Sequence, residues 1–424
     1  MSHKVRFDAH SPCWARRYTL LLLRGAAAAA TTIVPVGMAG AVQSPVNVAA
    51  PALTLREASE RALSLLPEVA AGQRLRDQVE AERRASRGPF VGPPVVSGDV
   101  VLGGGGLTEQ EIGVSAGFRW PGEGRAARTA ADRGGELVEA DLQEARLRIA
   151  GQLRAAWWKL ASAMEVIAVE RKLAEIADQE VTTVTRLVGA GVQARRDLLL
   201  AQAERAAVLA QLSASETDYV DAVAEYEALA GPPPTRFPAE TPTIGFALDQ
   251  HPEVRAALAR AAAAQARATT QSYGSRPRIE GRVGARRERD GAGNGYGNAL
   301  LAGIGIPIGQ NYSAVAETAG ARSEAARATA EAALVRRRLA AERAAAERRL
   351  ALSRRALGEA RIRQDALSQA LALTERGRRE GEVGYIEALR ARQALADATR
   401  DLVIAQVEAS AAISTFNQAQ GVLP

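Results

Sequence analysis

Cysteine, histidine, methionine and large aromatic side chains are all scarce in this sequence. The one cysteine, Cys13, falls within the first 41 residues, so the rest of the chain has no thiol for a disulfide or a redox pair. Beyond residue 41 there is one histidine, His251, and one methionine, Met164. Selective zinc or copper sites need clusters of such ligands, so no metal site and no cofactor is expected. His251 precedes Pro252 at a helix start and reads as structural. No Ser-His-Asp or Cys-His constellation is apparent past residue 41, which argues against an enzyme. Aromatics make up 4% of the chain against 47% for all apolar residues, and the difference is largely alanine. A compact core needs large side chains to bury enough area. Alanine instead favours long helices whose backbones approach closely. Past residue 41 there is also no run of about 18 apolar residues, so no transmembrane helix is expected.

The charge is less basic than it looks. The formal net charge is +6, but residues 1–41 hold Lys4, Arg6, Arg16, Arg17 and Arg24 against Asp8, which leaves about +2 on the remainder. Arginines elsewhere are interleaved with acids, as in Arg343, Glu347 and Arg348. Such mixed helix faces do not make a nucleic-acid stripe. Residues 1–41 read as a secretory signal peptide. Arg16 and Arg17 precede the apolar stretches Leu20–Leu23 and Ala26–Ala30, and Ala39-Gly40-Ala41 fits a small-residue cleavage site. Cys13 comes before the apolar stretch, so a lipid anchor is not indicated.

What the sequence has in abundance is internal repetition. Leu66-Pro67-Glu68-Val69 recurs as His251-Pro252-Glu253-Val254, 185 residues later. Each is followed by an Ala/Arg-rich helical stretch and then a Gly-rich alternating stretch ending near Pro121 or Pro307, 186 apart. Each proline opens a long helical stretch broken by a Gly-containing turn, Gly189-Ala190-Gly191-Val192 or Gly381-Glu382-Val383-Gly384. Arg186 and Arg376 before the breaks, Gly191 and Gly381 within them, and Asp197 and Glu387 after them all stand 190 apart. Landmarks in one order at nearly one spacing define two copies of one plan. The first copy is expected over residues 42–234, with a strand pair at 95–120 and a long hairpin at 122–230. A proline-punctuated linker spans 235–246, and the second copy covers 247–424, with strands at 278–308 and a hairpin at 309–420.

Neither 122–188 nor 309–380 contains a proline, so each can form one helix of roughly 100 Å. Helices that long suggest a coiled coil or tube. Leu142, Ile149, Leu153 and Leu160 follow heptad-like spacing. An earlier helix, about 53–87, opens on Thr54-Leu55-Arg56-Glu57, a capping box. Trp157 and Trp158 fall mid-helix and belong to a core or a subunit interface. The strands alternate. Ile112, Val114, Ala116, Phe118 and Trp120 oppose Glu111, Ser115 and Arg119, while Leu300, Ala302, Ile304, Ile306 and Ile308 oppose several glycines. Ile279, Val283 and Ala285 oppose Arg278, Glu280, Arg282 and Arg286, and Val96, Val100 and Leu102 behave similarly. One apolar and one polar face suits a membrane barrel strand, and equally a half-buried sheet in a soluble protein. If the strands do span a membrane, several chains must share one barrel, because an open edge cannot exist in lipid. Trp120 and Tyr296 flank strand ends, where interfacial aromatics sit.

This order of elements, together with Gly191-Val192-Gln193-Ala194-Arg195-Arg196-Asp197-Leu198-Leu199-Leu200-Ala201-Gln202, resembles the TolC-like outer-membrane efflux family. The second turn matches it through Arg376, Gly381, Tyr385, Glu387 and Leu389. Phe118-Arg119-Trp120-Pro121-Gly122-Glu123-Gly124-Arg125-Ala126-Ala127-Arg128 looks like the cobalt–zinc–cadmium branch, with Glu123 a departure from its pattern. The resemblance implies a mainly α fold with a small β part. Duplicated long hairpins would form an α-helical barrel, and four strands per chain would join a shared trimeric β-barrel. It implies an outer-membrane homotrimer with a long periplasmic extension, a periplasmic adaptor and an inner-membrane pump of the resistance-nodulation-division type. The cargo would be heavy-metal cations, with drugs or other solutes as the alternative. A non-conducting coiled-coil scaffold is the rival of another class, and it has no need of amphipathic strands. In this frame Arg186, Gly189, Gly191 and Val192 mark one adaptor-docking tip, and Arg376, Gly381, Val383 and Gly384 the other. Plain helix reversal is the alternative role for both turns. Glu387 aligns with an acid that lines the constricted end of the tunnel, and Arg390 falls where a second acid is often found. Glu387 and Arg390 could instead pair on a solvated helix face. Asp197 is the further gate candidate.

Overall fold

The computed structural model describes residues 54–64, 67–103, 107–289, 293, 295–309 and 311–424, so the expected signal peptide lies outside the described residues. Helix α1, Leu55–Ser64, opens on the expected capping box. The Glu57 amide donates to Thr54 Oγ1 at 3.3 Å, and the Thr54 amide donates to Glu57 Oε2 at 2.8 Å. The single helix expected over 53–87 is two, because α2 restarts at Pro67 and runs to Ala85. Proline has no N–H to continue a helix but suits its first turn.

Four strands follow the same logic. Strand β1 is Val95–Leu102, β2 Thr108–Gly117, β3 Glu280–Arg289 and β4 Gly297–Gly305. They form one antiparallel sheet in the order β1-β2-β3-β4. Both strand pairs are shorter than the sequence suggested. Phe118 leaves the ladder after Gly117, while Arg119 turns back to donate to the carbonyls of Phe90 and Ala85. The second pair stops short of Pro277 and Pro307, which cannot donate to a ladder. Register settles the faces. Val96, Val114, Val283 and Ala302 stand in one row, and Gly98, Ile112, Ala285 and Leu300 in the next. Ala116, Gly281 and Ile304 make a third. One apolar face therefore runs unbroken across all four strands, and nothing among the described residues covers it: Leu300 is 91% exposed and Ile304 75%. The opposite face carries Asp99, Glu111 and Arg286 in one row and Glu109 and Glu288 in another.

Helix α3 spans Glu123–Gly189, α4 Arg195–Ala230, α5 Pro252–Gly274, α6 Tyr312–Glu380 and α7 Tyr385–Ala419. Helices α3 and α6, of 67 and 69 residues, are each about 100 Å long. Helix α6 begins three residues later than expected, where the Asn311 side chain accepts from the Ala314 amide at 3.2 Å. Nearest the sheet the packing order is α2-α3-α5-α6, the same as the order of the strands these helices join. Beyond the middle it becomes α4-α3-α7-α6. The chain is thus a four-helix layer continuing a four-stranded sheet. One border is β1, α2 and α4, and the other is β4 and α6.

The seams are narrow and heptad-like. Buried Ala325, Ala332, Leu339 and Ala346 recur every seventh residue on α6. Other large apolar residues of α6 lie outside that seam: Leu334, Leu352, Ile362 and Leu373 are all more than half exposed. On the other border, Leu199, Ala203, Ala206, Ala210, Ser213, Thr217, Val220 and Ala224 of α4 recur at steps of four and three. All are exposed and none is charged. Both borders therefore carry an apolar stripe without a partner among the described residues.

The largest core lies midway along α3. Trp157 is fully buried against Tyr226 and Phe237, at ring-centroid distances of 6.1 and 5.1 Å. Burial pushes the Tyr226 hydroxyl up to about 12, so it stays neutral. Trp158 donates to Ser414 Oγ at 2.7 Å, which binds α3 to α7. The stretch read as a linker is strapped across this core. Arg154 donates to both oxygens of Glu240 at 3.0 and 2.7 Å, and also to Gln418 and the Val422 carbonyl. Burial opposes the Glu240 carboxylate, but Arg154, with Ser414 and Asn417, overcomes it and holds the pKa below normal. Asn417 also ties down Thr241 and Thr243.

His251 caps α5, its Nδ1 accepting from the Glu253 amide at 3.3 Å. Burial, then the charge of Arg343, lowers its pKa to about 4 from an ordinary 6.5. The folded state resists protonating it, so its stabilising contribution is complete above about pH 6.5 and is lost as pH falls toward about 4. Unfolding of the wild type should lose up to ~3 kcal/mol over that window. His251→Asn, which keeps a capping acceptor, should flatten the profile. Parallel pH dependence in both proteins would show that other groups control it.

Candidate functional site at the hairpin tips and the sheet

Both long hairpins reverse on glycine. Gly191 adopts φ +73° and Gly381 φ +82°, a region an L side chain rarely enters. The Val192 amide closes the first turn on the Leu187 carbonyl at 2.9 Å, and the Glu382 amide closes the second on Gly377 at 2.9 Å. Val192 is 71% exposed, whereas Val383 is half-buried. Arg186 and Arg376 lie within the last five residues of the helices that lead into the turns, and Gly189 and Gly384 flank the turns themselves.

The two tips lie together. Tyr385, the first residue of α7, packs into an apolar cluster with Val184 and Ala201 of the other hairpin. An ionic network sits beside it. Glu180 of α3 meets Arg392 of α7 at 2.8 Å and Arg378 of α6 at 3.7 Å. Arg392 donates from Nε to Glu375 at 2.7 Å, and Arg378 lies 3.4 Å from the same carboxylate. All four side chains are less than a third exposed, so screening is modest. Burial alone would lower the Arg392 pKa, but Glu180 and Glu375 more than offset it and raise it. Burial, then Glu180, likewise raises the Tyr385 hydroxyl. Further along, Arg400 reaches the fully buried Glu170 at 2.5 Å, and Gln393 reaches Glu204 at 2.5 Å. The cross-hairpin contact is thus a ladder of charges along α3 and α7.

Sequence reasoning placed three gate candidates here, and the structure separates them. Glu387 and Arg390 are both exposed on α7, and they form no ion pair with each other or with any described residue. Asp197 is buried at 7% exposure, with Arg196 3.6 Å away and its Oδ1 lacking a hydrogen-bond partner. Glu180, Gln193 and Tyr385 each hold a buried polar atom in the same condition, so the tips concentrate under-satisfied groups. Glu180, Glu375, Arg378 and Arg392 escaped notice in the sequence. Their i,i+3 and i,i+4 neighbours resemble those of any charged helix, and only the crossing of two hairpins brings them together.

At the other end of the chain, aromatics bracket the apolar face. Trp120 donates from Nε1 to the Pro277 carbonyl at 3.1 Å below the strands, near the Phe90–Phe118 pair. Tyr296 lies at the far end, beneath the guanidinium of Arg287 at 4.2 Å. Gly113-Val114-Ser115-Ala116-Gly117 spells the letters of a nucleophile elbow, but it lies inside β2, paired on both sides, and not at a strand-to-helix turn.

No protein-family model matches the sequence, and no curated protein matches it. Solved structures do. The outer membrane protein VceC of Vibrio cholerae is 19% identical, with 87% of this chain and 96% of that one covered at a TM-score of 0.71. The outer-membrane channel OprN is 22% identical over 87% of this chain and 89% of its own, at 0.70. The open state of the Neisseria gonorrhoeae MtrE outer membrane channel is 18% identical over 87% and 89%, at 0.67. The fold is therefore that of the TolC-like channels, a helical barrel segment joined to barrel strands.

If the ladder couples the hairpins, Glu180→Gln and Arg392→Gln should each lower hydrogen-exchange protection of the amides opening α7. The double variant should lose little more than either single one, a coupling of about 1–3 kcal/mol. Additive losses would mean that the apolar cluster alone joins the tips.

Proposed function

We propose that this chain is the outer-membrane duct of a Gram-negative tripartite efflux system, a passive conduit from periplasm to exterior. The observation that carries the reading is the uncovered apolar face spanning four strands, with aromatics at both ends. A face of that kind is stable against lipid hydrocarbon, and its polar reverse then faces water. An open sheet cannot lie in lipid, so β4 of one copy must pair with β1 of the next. The unpartnered seams of α4 and α6 stand on the same two borders, so helices and strands ask for the same head-to-tail ring. Three copies of the four-stranded sheet give about twelve strands. A coiled-coil scaffold would leave the apolar face without purpose.

The helical layer forms the periplasmic tunnel, and its tips are the docking surface for a periplasmic adaptor. Exposed Val192, Gly191 and Gly189, with Gly381, Val383 and Gly384 on the second turn, offer the short apolar and backbone contacts that adaptor helices use. Arg186 and Arg376 add charge at the rim. The adaptor joins the duct to an inner-membrane pump of the resistance-nodulation-division type, which supplies the driving force. Glu387 is the leading gate residue: an exposed carboxylate with no ion-pair partner among the described residues can project a ring of like charge when copies assemble. Arg390 beside it tempers that ring, and buried Asp197 with Tyr385 positions the tip rather than lining the path. Heavy-metal cations are the proposed cargo, on the Phe118–Arg128 resemblance. Organic solutes are the alternative, and the pump makes the choice.

The purified chain should need detergent, run as an oligomer, and give discrete single-channel currents in planar bilayers. Recovery as a detergent-free monomer would end the reading. Glu387→Ala should change conductance or reduce cation preference; identical currents and selectivity would remove Glu387 from the gate.

A further inference from the structure

The outward face of the sheet stays apolar to its end on β1, through Val100 and Leu102, but not on β2, β3 and β4. Register puts Arg287 on the face that carries Ile112 and Leu300, one row beyond them, opposite Gln110 and Asn298. Arg289 follows one row further, opposite Thr108. At about 3.4 Å per residue these rows lie about 7 and 14 Å past the Leu300 row. Both guanidiniums gather on Tyr296, at 4.2 and 5.7 Å from its ring centroid.

Their partners distinguish these arginines from those on the other face. Arg286 lies 2.7 Å from Glu109 and Arg282 lies 3.8 Å from Glu111. Alternation sends Asp99, Glu109, Glu111 and Glu288 all to that side. Among the described residues neither Arg287 nor Arg289 has a carboxylate partner, and Arg289 Nε is buried with no acceptor. Two guanidiniums gathered on one ring at the edge of an apolar surface, with no carboxylate partner among the described residues, leave an anion to be supplied from outside the chain.

We infer that Arg287 and Arg289, held by Tyr296, bind the phosphate of an anionic lipid headgroup at the outer rim of the sheet. The inference rests on the membrane reading above. Acyl chains against Ile112 and Leu300 place a headgroup one to two rows higher, at the level of the arginines. The planar fork matches phosphate oxygens two at a time. Stacking on the tyrosine ring fixes the forks without consuming their donors. A soluble anion would not require the site to continue an apolar face.

The test uses the full chain in detergent, by native mass spectrometry. The probes are a bisphosphorylated glucosamine lipid, its dephosphorylated counterpart and inorganic phosphate. The wild type should retain the phosphorylated lipid about tenfold better than the dephosphorylated one. Arg287→Gln with Arg289→Gln should abolish that preference, while Arg282→Gln, on the opposite face, should keep it. Equal retention of both lipids by the wild type, or an unchanged preference in the double variant, overturns the inference. Displacement by equimolar inorganic phosphate overturns it in favour of a soluble-anion site. Bilayer currents recorded in parallel separate the two readings. A conducting wild type with no phosphate preference sinks the lipid site alone, whereas a wild type that neither inserts nor conducts sinks both.

Discussion

An apolar face that none of the described residues covers governs everything else in this structure. Val96, Ile112, Val283, Leu300 and Ile304 stand on one side of a four-stranded sheet with no helix packed over them. In water such a surface would invite aggregation. In hydrocarbon it is at ease, but the ladder edges of β1 and β4 are not, because every unpaired backbone group there costs several kcal/mol. The two demands have a common solution, in which sheets from several copies join edge to edge. The helices extend the same solution downward, since α2 and α4 stand below β1 and α6 stands below β4.

The alanine content follows from that geometry. A wall one helix thick has no interior in which to bury large side chains. Its stability comes from long, close, repetitive contacts, such as the seventh-residue series Ala325, Ala332, Leu339 and Ala346. Large residues are spent in one place, around Trp157, Trp158 and Tyr226, where the strap carrying Glu240 and the C-terminal segment cross the helices. There the charged strap is well satisfied. Arg154 alone engages Glu240, Gln418 and the Val422 carbonyl. Buried polar atoms without hydrogen-bond partners occur at both places, on Trp157 and Tyr226 at the waist and on Glu180, Gln193, Asp197 and Tyr385 at the tips.

Several features were plain in the amino-acid string because they are local. The capping box at Thr54 and Glu57, the proline starts at Pro67 and Pro252, the glycine reversals at Gly191 and Gly381, and strand alternation all follow from short-range sterics and hydrogen bonding. Boundaries were less legible. The end of β2 depends on residues far apart in the chain, since Arg119 turns back onto the carbonyls of Phe90 and Ala85.

The chain's own order of residues determined that there are two copies of one plan, that their helices are about 100 Å long, and that each strand has one greasy side. Periodicity and breakers act over a few residues and need no fold to be read. Only the tertiary structure decided that all four greasy sides align on one uncovered face. It alone showed that 235–246 is a strap rather than a tether, and that Glu180 meets Arg378 and Arg392 across two hairpins while Glu387 and Arg390 stand apart. Those outcomes depend on which residues, far apart in the chain, share a register or a crossing. Alternation and charge patterns are the same for a matched crossing and a mismatched one, so the pairing is fixed only when the helices and strands pack.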